Sequence, residues 1–280
     1  MVFLVLLVLV LSLLSFCSSN FFVWWGVFVM MTMIFLLVMK LSGGGSGMIN
    51  YFIIQESLGL FFLVFSGSLL QFMTVMMKIG VSPLHFWVFS VTNDLCNWSL
   101  MWFLTFQKLP FFPVLVLLGC LEFVFLLILG ILLCYAQILI VKSYKNLFVL
   151  SSTESFNWVL LLGFISLLSV FYLFFYYFIA MVLLISSFYQ KEIFDVSWET
   201  ILVFMNVPFG ISFFVKIFSL SALMASLSFF MLFLLFMMFL ATLSVGFWIV
   251  NSSMKNWESL DENYKEFYYL VFPLTVSVLL

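Results

Sequence analysis

The 280-residue chain is 67% hydrophobic and 7% charged, with a mean hydropathy of +1.36. This composition leaves too little polar surface to coat a soluble globule, which excludes a water-soluble enzyme or binding module. The net charge of −2 gives no basic surface for nucleic acid. The chain is therefore predicted to be an all-α, polytopic membrane protein that contacts membrane phospholipids.

Apolar runs of about 20 residues, enough to cross the hydrocarbon core, recur along the whole chain. Short polar breaks separate them and predict about 11 transmembrane helices in a single transmembrane domain over residues 1–280. The runs begin near Met1, Phe21, Met48, Ser66, Asn97, Leu121, Lys145, Ser169, Ser197, Ala222 and Lys265.

The distribution of charge supports this number of spans. With eleven spans, every charged loop falls on the side of the N-terminus, and the loops on the other side carry almost no charge. The N-terminus is thus predicted on the side from which insertion occurs. The charged loops contain Lys40, Asp94, Lys142 with Lys145, residues 191–195 and residues 255–266.

Metal and disulfide chemistry are not expected from the cysteines. They lack C-x-x-C spacing, and His85 is the one histidine of the chain, so a Cys/His zinc site cannot form. Apolar surroundings favour free thiols over a disulfide framework. The cysteines are Cys17, Cys96, Cys120 and Cys134.

Two lysines lie beside helix breaks in the first half of the chain. Lys78 precedes Gly80 and Pro83, so the helix should unwind just after the lysine. Lys108 lies near the middle of a span and is followed by Pro110, which removes a backbone hydrogen bond. A charge at the bilayer centre costs at least about 2.5–3.5 kcal/mol, so such residues usually face a bundle interior and function there. The pattern is typical of a membrane ion path through broken helices.

A similar break recurs later, where Pro208 and Gly210 precede Lys216. For all three lysines the alternative is a side chain that reaches a nearby membrane interface. Glu56 lies inside an early apolar run and is either a relay member or a protonated buried acid.

Other ionisable residues also have two interpretations. His85 is either a packing residue or a proton shuttle, and Lys145 is either a loop charge or a relay exit. Glu122 and Glu154 are expected near membrane interfaces.

Several stretches resemble subunit 2 of mitochondrial NADH:ubiquinone oxidoreductase, respiratory complex I. The string K-x-G-x-x-P-x-H-F-W is the specific element, and the QKL string supports it. Both stand in the family's order and spacing with two weaker strings. The stretches are WWGVFVMMTMIFLLV (Trp24 to Val38), NYFIIQ (Asn50 to Gln55), MKIGVSPLHFWV (Met77 to Val88) and LTFQKLPFFP (Leu104 to Pro113).

The resemblance implies an antiporter-like, proton-translocating subunit of the membrane arm, coupled to electron transfer from NADH to ubiquinone. Other membrane-arm subunits would be its partners. It implies no catalytic residue, cofactor or metal on this chain, with NADH, FMN, iron–sulfur clusters and ubiquinone on other subunits. Animal members lack three N-terminal helices, which leaves eleven. The family's channel lysines correspond to Lys78, Lys108 and Lys216.

The resemblance also implies a location. The chain would be a multi-pass protein of the mitochondrial inner membrane with its N-terminus on the matrix side. The absence of arginine and the richness in Phe, Leu and Met resemble a chain encoded by an invertebrate mitochondrial genome.

The chain departs from the family at one position. The family's W-x-G-L-E motif carries an acid that pairs with the first lysine, but here Gly26 and Val27 are followed by Phe28. Glu56 is the natural substitute. Two other functions stay open: a free-standing cation/proton antiporter, and a structural membrane subunit that no longer conducts.

Overall fold

The structure of the chain is a computed structural model. This structure describes residues 2–42, 45–65, 67–95, 97–119, 121–141, 143–163 and 167–190, together with 216–217, 220–221, 232–244 and 246. These residues form helices, and no strand occurs among them, which confirms the all-α prediction. The predicted number of about 11 spans stays a prediction, because the runs near Ser197, Ala222 and Lys265 begin outside the described residues.

The helices follow one another with short connections. A 3₁₀ turn, Phe106–Lys108, stands between α6 and α7, and another, Leu121–Phe123, precedes α8. The helices are α1 (Val2–Cys17), α2 (Phe21–Ser42), α3 (Gly45–Val64), α4 (Ser68–Ile79), α5 (Phe86–Thr92), α6 (Asn97–Leu104), α7 (Phe111–Leu118), α8 (Val124–Ile138), α9 (Tyr144–Gly163) and α10 (Leu167–Gln190).

Three stretches of the described residues are long and apolar enough to cross a membrane: Phe21–Leu41, Gly45–Val64 and Trp98–Leu118. The third includes α6, the 3₁₀ turn and α7. Two helices begin where the apolar runs predict, α2 at Phe21 and α6 at Asn97. Run boundaries therefore predict helix starts well in this part of the chain, because polar residues mark each end.

Both predicted helix breaks in the first half are present. The first, after α4, occurs because Gly80 adopts the left-handed conformation (φ 76°) and donates its N–H to the Met76 carbonyl, which ends the helix. The second lies between α6 and α7, where Pro110 has no N–H to continue the ladder. Sequence-local signals are enough to explain both breaks.

The segment after α4 packs directly against α8 and α9. The Ser82 hydroxyl donates to the Gly130 carbonyl at 2.7 Å, and the Asn157 amide donates to the Ser82 carbonyl at 3.3 Å. A Cβ on Gly130 would collide with the Ser82 backbone, so glycine is required for this close approach. The Asn157 amide thus satisfies a carbonyl of backbone that is not helical, and the Ser82 hydroxyl bonds the same segment to α8.

The chain divides into two compact units. The first comprises residues 1–134 and 143–185, and the second comprises residues 135–142 and 186–280. Within the first unit the core is rich in aromatic rings, among them Phe28, Phe62, Phe111, Phe112 and Phe174, all buried. The prediction of a single domain over 1–280 stays a prediction.

Candidate functional site

Lys78 lies in the last turn of α4 and is 2% exposed. Its ammonium faces α2 and α3. It lies 5.4 Å from the centroid of the Phe28 ring, and a Cβ built on Gly59 would be 3.4 Å from Nζ. The indole nitrogen of Trp25 is 3.6 Å from the same point. The lysine is thus buried at the junction of three helices, not extended to an interface.

Side chains from other elements satisfy the last carbonyls of α4. The Gln55 amide donates to the Lys78 carbonyl at 2.7 Å, and the Trp87 indole donates to the Met77 carbonyl at 2.9 Å. The last carbonyls of a helix have no partner inside the helix. These two bonds fix the end of α4, and with it the backbone that carries the lysine.

Phe28, which stands where the family has its acid, does contact the first lysine. A buried cation over a ring face gains about 2 kcal/mol or more, so the ring partly replaces the missing carboxylate as a partner for the ammonium. The contact is to a neutral group, however, and a ring cannot accept a proton.

Glu56, the candidate substitute, is half-buried on α3 and interacts electrostatically with Lys78. Its nearest fixed partner is Thr32, one turn beyond Phe28 on α2. The Thr32 hydroxyl donates to Glu56 Oε1 at 2.9 Å and also lies 2.8 Å from the Val29 carbonyl. A hydroxyl has one proton, which Thr32 can donate to Glu56 or to the Val29 carbonyl.

Lys108 closes the 3₁₀ turn and is 4% exposed. Its ammonium donates to the Ser152 carbonyl at 3.2 Å, to the Ser152 hydroxyl at 3.4 Å and to the Tyr177 hydroxyl at 3.2 Å. It also lies over the rings of Phe156 (5.1 Å) and Tyr177 (5.4 Å). These partners are neutral and come from α9 and α10, so the ammonium is held by dipoles and rings.

Aromatic contacts connect the surroundings of the two lysines. Phe28, over Lys78, stacks on Phe111 with centroids 4.6 Å apart. The next residue, Phe112, makes an edge contact with Phe156, which lies over Lys108. Apolar rings thus lie in series from one ammonium to the other.

Lys145 lies at the start of α9 and is exposed. Its ammonium donates to the Leu95 carbonyl at 3.0 Å, beside Asp94. Asp94 accepts hydrogen bonds from the Ser46 hydroxyl and from the Gly47 N–H. These two hydrogen bonds hold the pKa of the Asp94 carboxyl below its ordinary value, the Ser46 bond more than the Gly47 bond. The charge of Lys145 lowers this pKa by a smaller amount. Lys145 therefore takes part in a polar cluster that joins the starts of α3 and α9 to the connection between α5 and α6.

Two predicted residues remain, His85 and Lys216. His85 precedes α5, is buried, and stacks on Phe86 and against Phe89 at 5.0 and 5.6 Å. Lys216 is 4% exposed in the second unit. The break expected at Pro208 and Gly210 lies outside the described residues.

Sequence reasoning missed several residues that contact the candidate lysines. Ser152, Phe156 and Tyr177 carried no signal, because hydroxyl and aromatic residues are frequent throughout the chain. Glu154, expected near an interface, is 2% exposed and accepts a hydrogen bond from the Trp158 indole at 3.2 Å. Among the described residues no group of three His, Cys, Asp or Glu side chains could hold a metal ion.

Comparisons with known proteins cover almost the whole chain. It is similar to NADH-ubiquinone oxidoreductase chain 2 of Caenorhabditis elegans, with 54% identity over 276 residues that cover 98% of both chains. It is also similar to NADH-ubiquinone oxidoreductase chain 2 of Ascaris suum, with 53% identity over 276 residues that cover 99% of this chain and 92% of the relative. No protein-family model matches the chain.

Proposed function

The chain belongs to the family of NADH-ubiquinone oxidoreductase chain 2, a membrane subunit of respiratory complex I, and we propose that it moves protons through its buried lysines. In this proposal the proton movement is coupled to electron transfer from NADH to ubiquinone elsewhere in the complex. Other membrane-arm subunits are its partners. NADH, FMN, iron–sulfur clusters and ubiquinone are expected on other subunits of the complex.

The burial of two lysines beside helix breaks carries the proposal. Lys78 and Lys108 are 2% and 4% exposed, and Lys108 lies inside the apolar stretch Trp98–Leu118. An ionisable residue within a membrane span is a functional candidate by default, because burying its charge is costly. The interface alternative requires the ammonium to reach water, which the burial of both side chains in the first unit disfavours.

Each remaining residue has a proposed role in the relay. Lys78 exchanges its proton in the first half of the path, and Lys108 does so at the middle of its span. Lys216 is the corresponding group in the second unit. Lys145, exposed beside Asp94, is the exit to one membrane surface. His85 is a candidate shuttle whose ring contacts also suit a packing role.

Glu56 is proposed as the carboxylate that works with Lys78. Its electrostatic interaction with Lys78 and its contact with Thr32 support this role. When Glu56 is charged, it favours a charged Lys78, and when it is protonated, that support is lost. A change in the protonation of Glu56, or in the distance between its carboxylate and the Lys78 ammonium, would therefore move a proton onto or off Lys78.

Two other functions are alternatives to the relay. A free-standing cation/proton antiporter is disfavoured, because the chain is 54% identical over its length to a chain of an oxidoreductase. A structural subunit without conduction is favoured by one observation, the phenylalanine at the family's acid position. The Lys108→Met variant distinguishes this structural role from a relay.

Lys108→Met is the direct test, because methionine keeps most of the side-chain volume and removes the charge. We expect the complex to assemble and both coupled quinone reduction and proton pumping to fall severely. Blue-native electrophoresis with NADH activity staining measures assembly, and pumping is measured in reconstituted vesicles. Lys40→Met is the matched control, since Lys40 is an exposed lysine at the end of α2. Normal pumping by an assembled Lys108→Met complex would leave the structural role.

The proposed location is the mitochondrial inner membrane, with the N-terminus on the matrix side. The positions of the charged loops support this orientation. Apolar helices in the described residues support insertion.

A further inference from the structure

We propose that Tyr177 is a positioning residue for Lys108, holding the ammonium through both its hydroxyl and its ring. The inference rests on the proposed relay function.

The break leaves the Leu104 carbonyl without its helical partner. In a continuous α-helix the Leu104 carbonyl would accept from the Lys108 N–H. Here the Lys108 N–H donates to the Thr105 carbonyl instead, at 3.0 Å. The Tyr177 hydroxyl reaches the freed Leu104 carbonyl and donates to it at 3.4 Å.

The hydroxyl can make both bonds at once. A phenol has one proton, and when it is donated to the Leu104 carbonyl the oxygen lone pairs are left to accept from Lys108. The Lys108 ammonium donates to this oxygen at 3.2 Å. The Tyr177 hydroxyl therefore joins the Leu104 carbonyl, before the break, to the ammonium of Lys108.

The ring of Tyr177 adds a second contact. The ammonium lies 5.4 Å from its centroid and 5.1 Å from that of Phe156, so two rings enclose it. Tyr177 is 6% exposed, and water therefore has little access from that side. Because the same side chain bonds the break and encloses the ammonium, a movement of α10 would move Lys108 relative to its Ser152 partners.

The experiment separates the hydroxyl from the ring in the assembled complex. Tyr177→Phe removes the hydroxyl and keeps the ring, whereas Tyr177→Leu removes both. Tyr176→Phe is the matched control, because it removes a hydroxyl one residue along α10, where the helix turns the side chain about 100° away. Proton pumping is measured per assembled complex, so a loss of assembly is not counted as a loss of function.

We expect Tyr177→Phe to lower the pumping rate per complex about tenfold, since hydrogen bonds to charged groups have effects of this size. Tyr177→Leu should lose more, and Tyr176→Phe should pump normally. Tyr177→Phe combined with Lys108→Met should be no worse than Lys108→Met alone, because residues that act as one unit are not additive.

Three results would overturn the inference: normal pumping per complex in both Tyr177 variants, a loss of assembly alone, or additive losses in the double variant. If Lys108→Met itself pumped normally, the proposed function would fail and this inference with it. Impaired Lys108→Met with normal Tyr177 variants would refute only the role of Tyr177.

Discussion

Gly59→Ala should reduce proton pumping without reducing assembly, because Gly59 leaves space beside the Lys78 ammonium. A Cβ at this position would lie 3.4 Å from Lys78 Nζ, 3.6 Å from the Trp25 indole nitrogen and 3.8 Å from Lys78 Cε. These are ordinary van der Waals distances, so the methyl group fits. Replacing glycine by alanine inside a helix also stabilises it by about 1 kcal/mol. The variant should therefore fold and assemble as well as the natural chain.

The expected cost falls on the ammonium. The added methyl group would fill the space beside Nζ, on the face of α3 that carries Glu56 one turn earlier. A hydrogen bond to a charged group contributes about 1.5–3 kcal/mol, which corresponds to roughly ten- to hundredfold in an equilibrium constant. We expect pumping per complex to fall by about tenfold or more.

The assay compares Gly59→Ala with Gly26→Ala in reconstituted complexes. Gly26 lies inside α2, and nothing lies within 4 Å of a Cβ built on it. The control makes the same chemical change without touching an ammonium. Equal pumping by the two variants would refute the reasoning, and reduced assembly of Gly59→Ala alone would show that the space is needed for packing instead.

Three further outcomes are expected. Glu56→Gln should impair pumping nearly as much as Lys78→Met, with no further loss in the double variant, whereas additive losses would make Glu56 a structural acid. The lowered pKa of Asp94 means that its carboxylate stabilises its loop above about pH 4, the unfolded value, and that this contribution is lost as the pH falls through the folded pKa. Asp94→Asn should remove this pH-dependent stabilisation. It is measured as the protection from hydrogen exchange of the Gly47 amide, which donates to Asp94. Gly130→Ala should destabilise the chain by about 1–3 kcal/mol and so lower the amount of assembled complex, since its Cβ would meet the Ser82 carbonyl.

The helix breaks were predictable because their causes are local. Glycine after Lys78 and proline after Lys108 act on the backbone within a few residues, whatever the rest of the fold does. The same holds for the starts of α2 and α6, where polar residues interrupt apolar runs. A reader of the sequence alone can place both lysines at breaks and infer that they are functional.

The partners of those lysines were not predictable for the opposite reason. Ser152 lies 44 residues from Lys108 and Tyr177 lies 69 residues away, so only the tertiary packing of α9 and α10 brings them together. The chain has 41 phenylalanines and 10 tyrosines, and no pattern distinguishes the few that contact an ammonium. The resemblance showed that an acid is missing at Phe28, but not that its ring covers Lys78.

The ring contacts between the two lysines constrain how a relay can work. A phenyl ring has no proton to exchange and no lone pair to accept one, so the series from Phe28 through Phe111 and Phe112 cannot itself carry a proton. Transfer from Lys78 to Lys108 along this side requires water to enter beside the rings or a ring to move. Phe28 contacts both Lys78 and Phe111. Its movement would therefore remove a partner of the ammonium and open the series of stacked rings at the same time. In the proposed relay, that coupling would let one movement of the Phe28 side chain both release a proton from Lys78 and open its path.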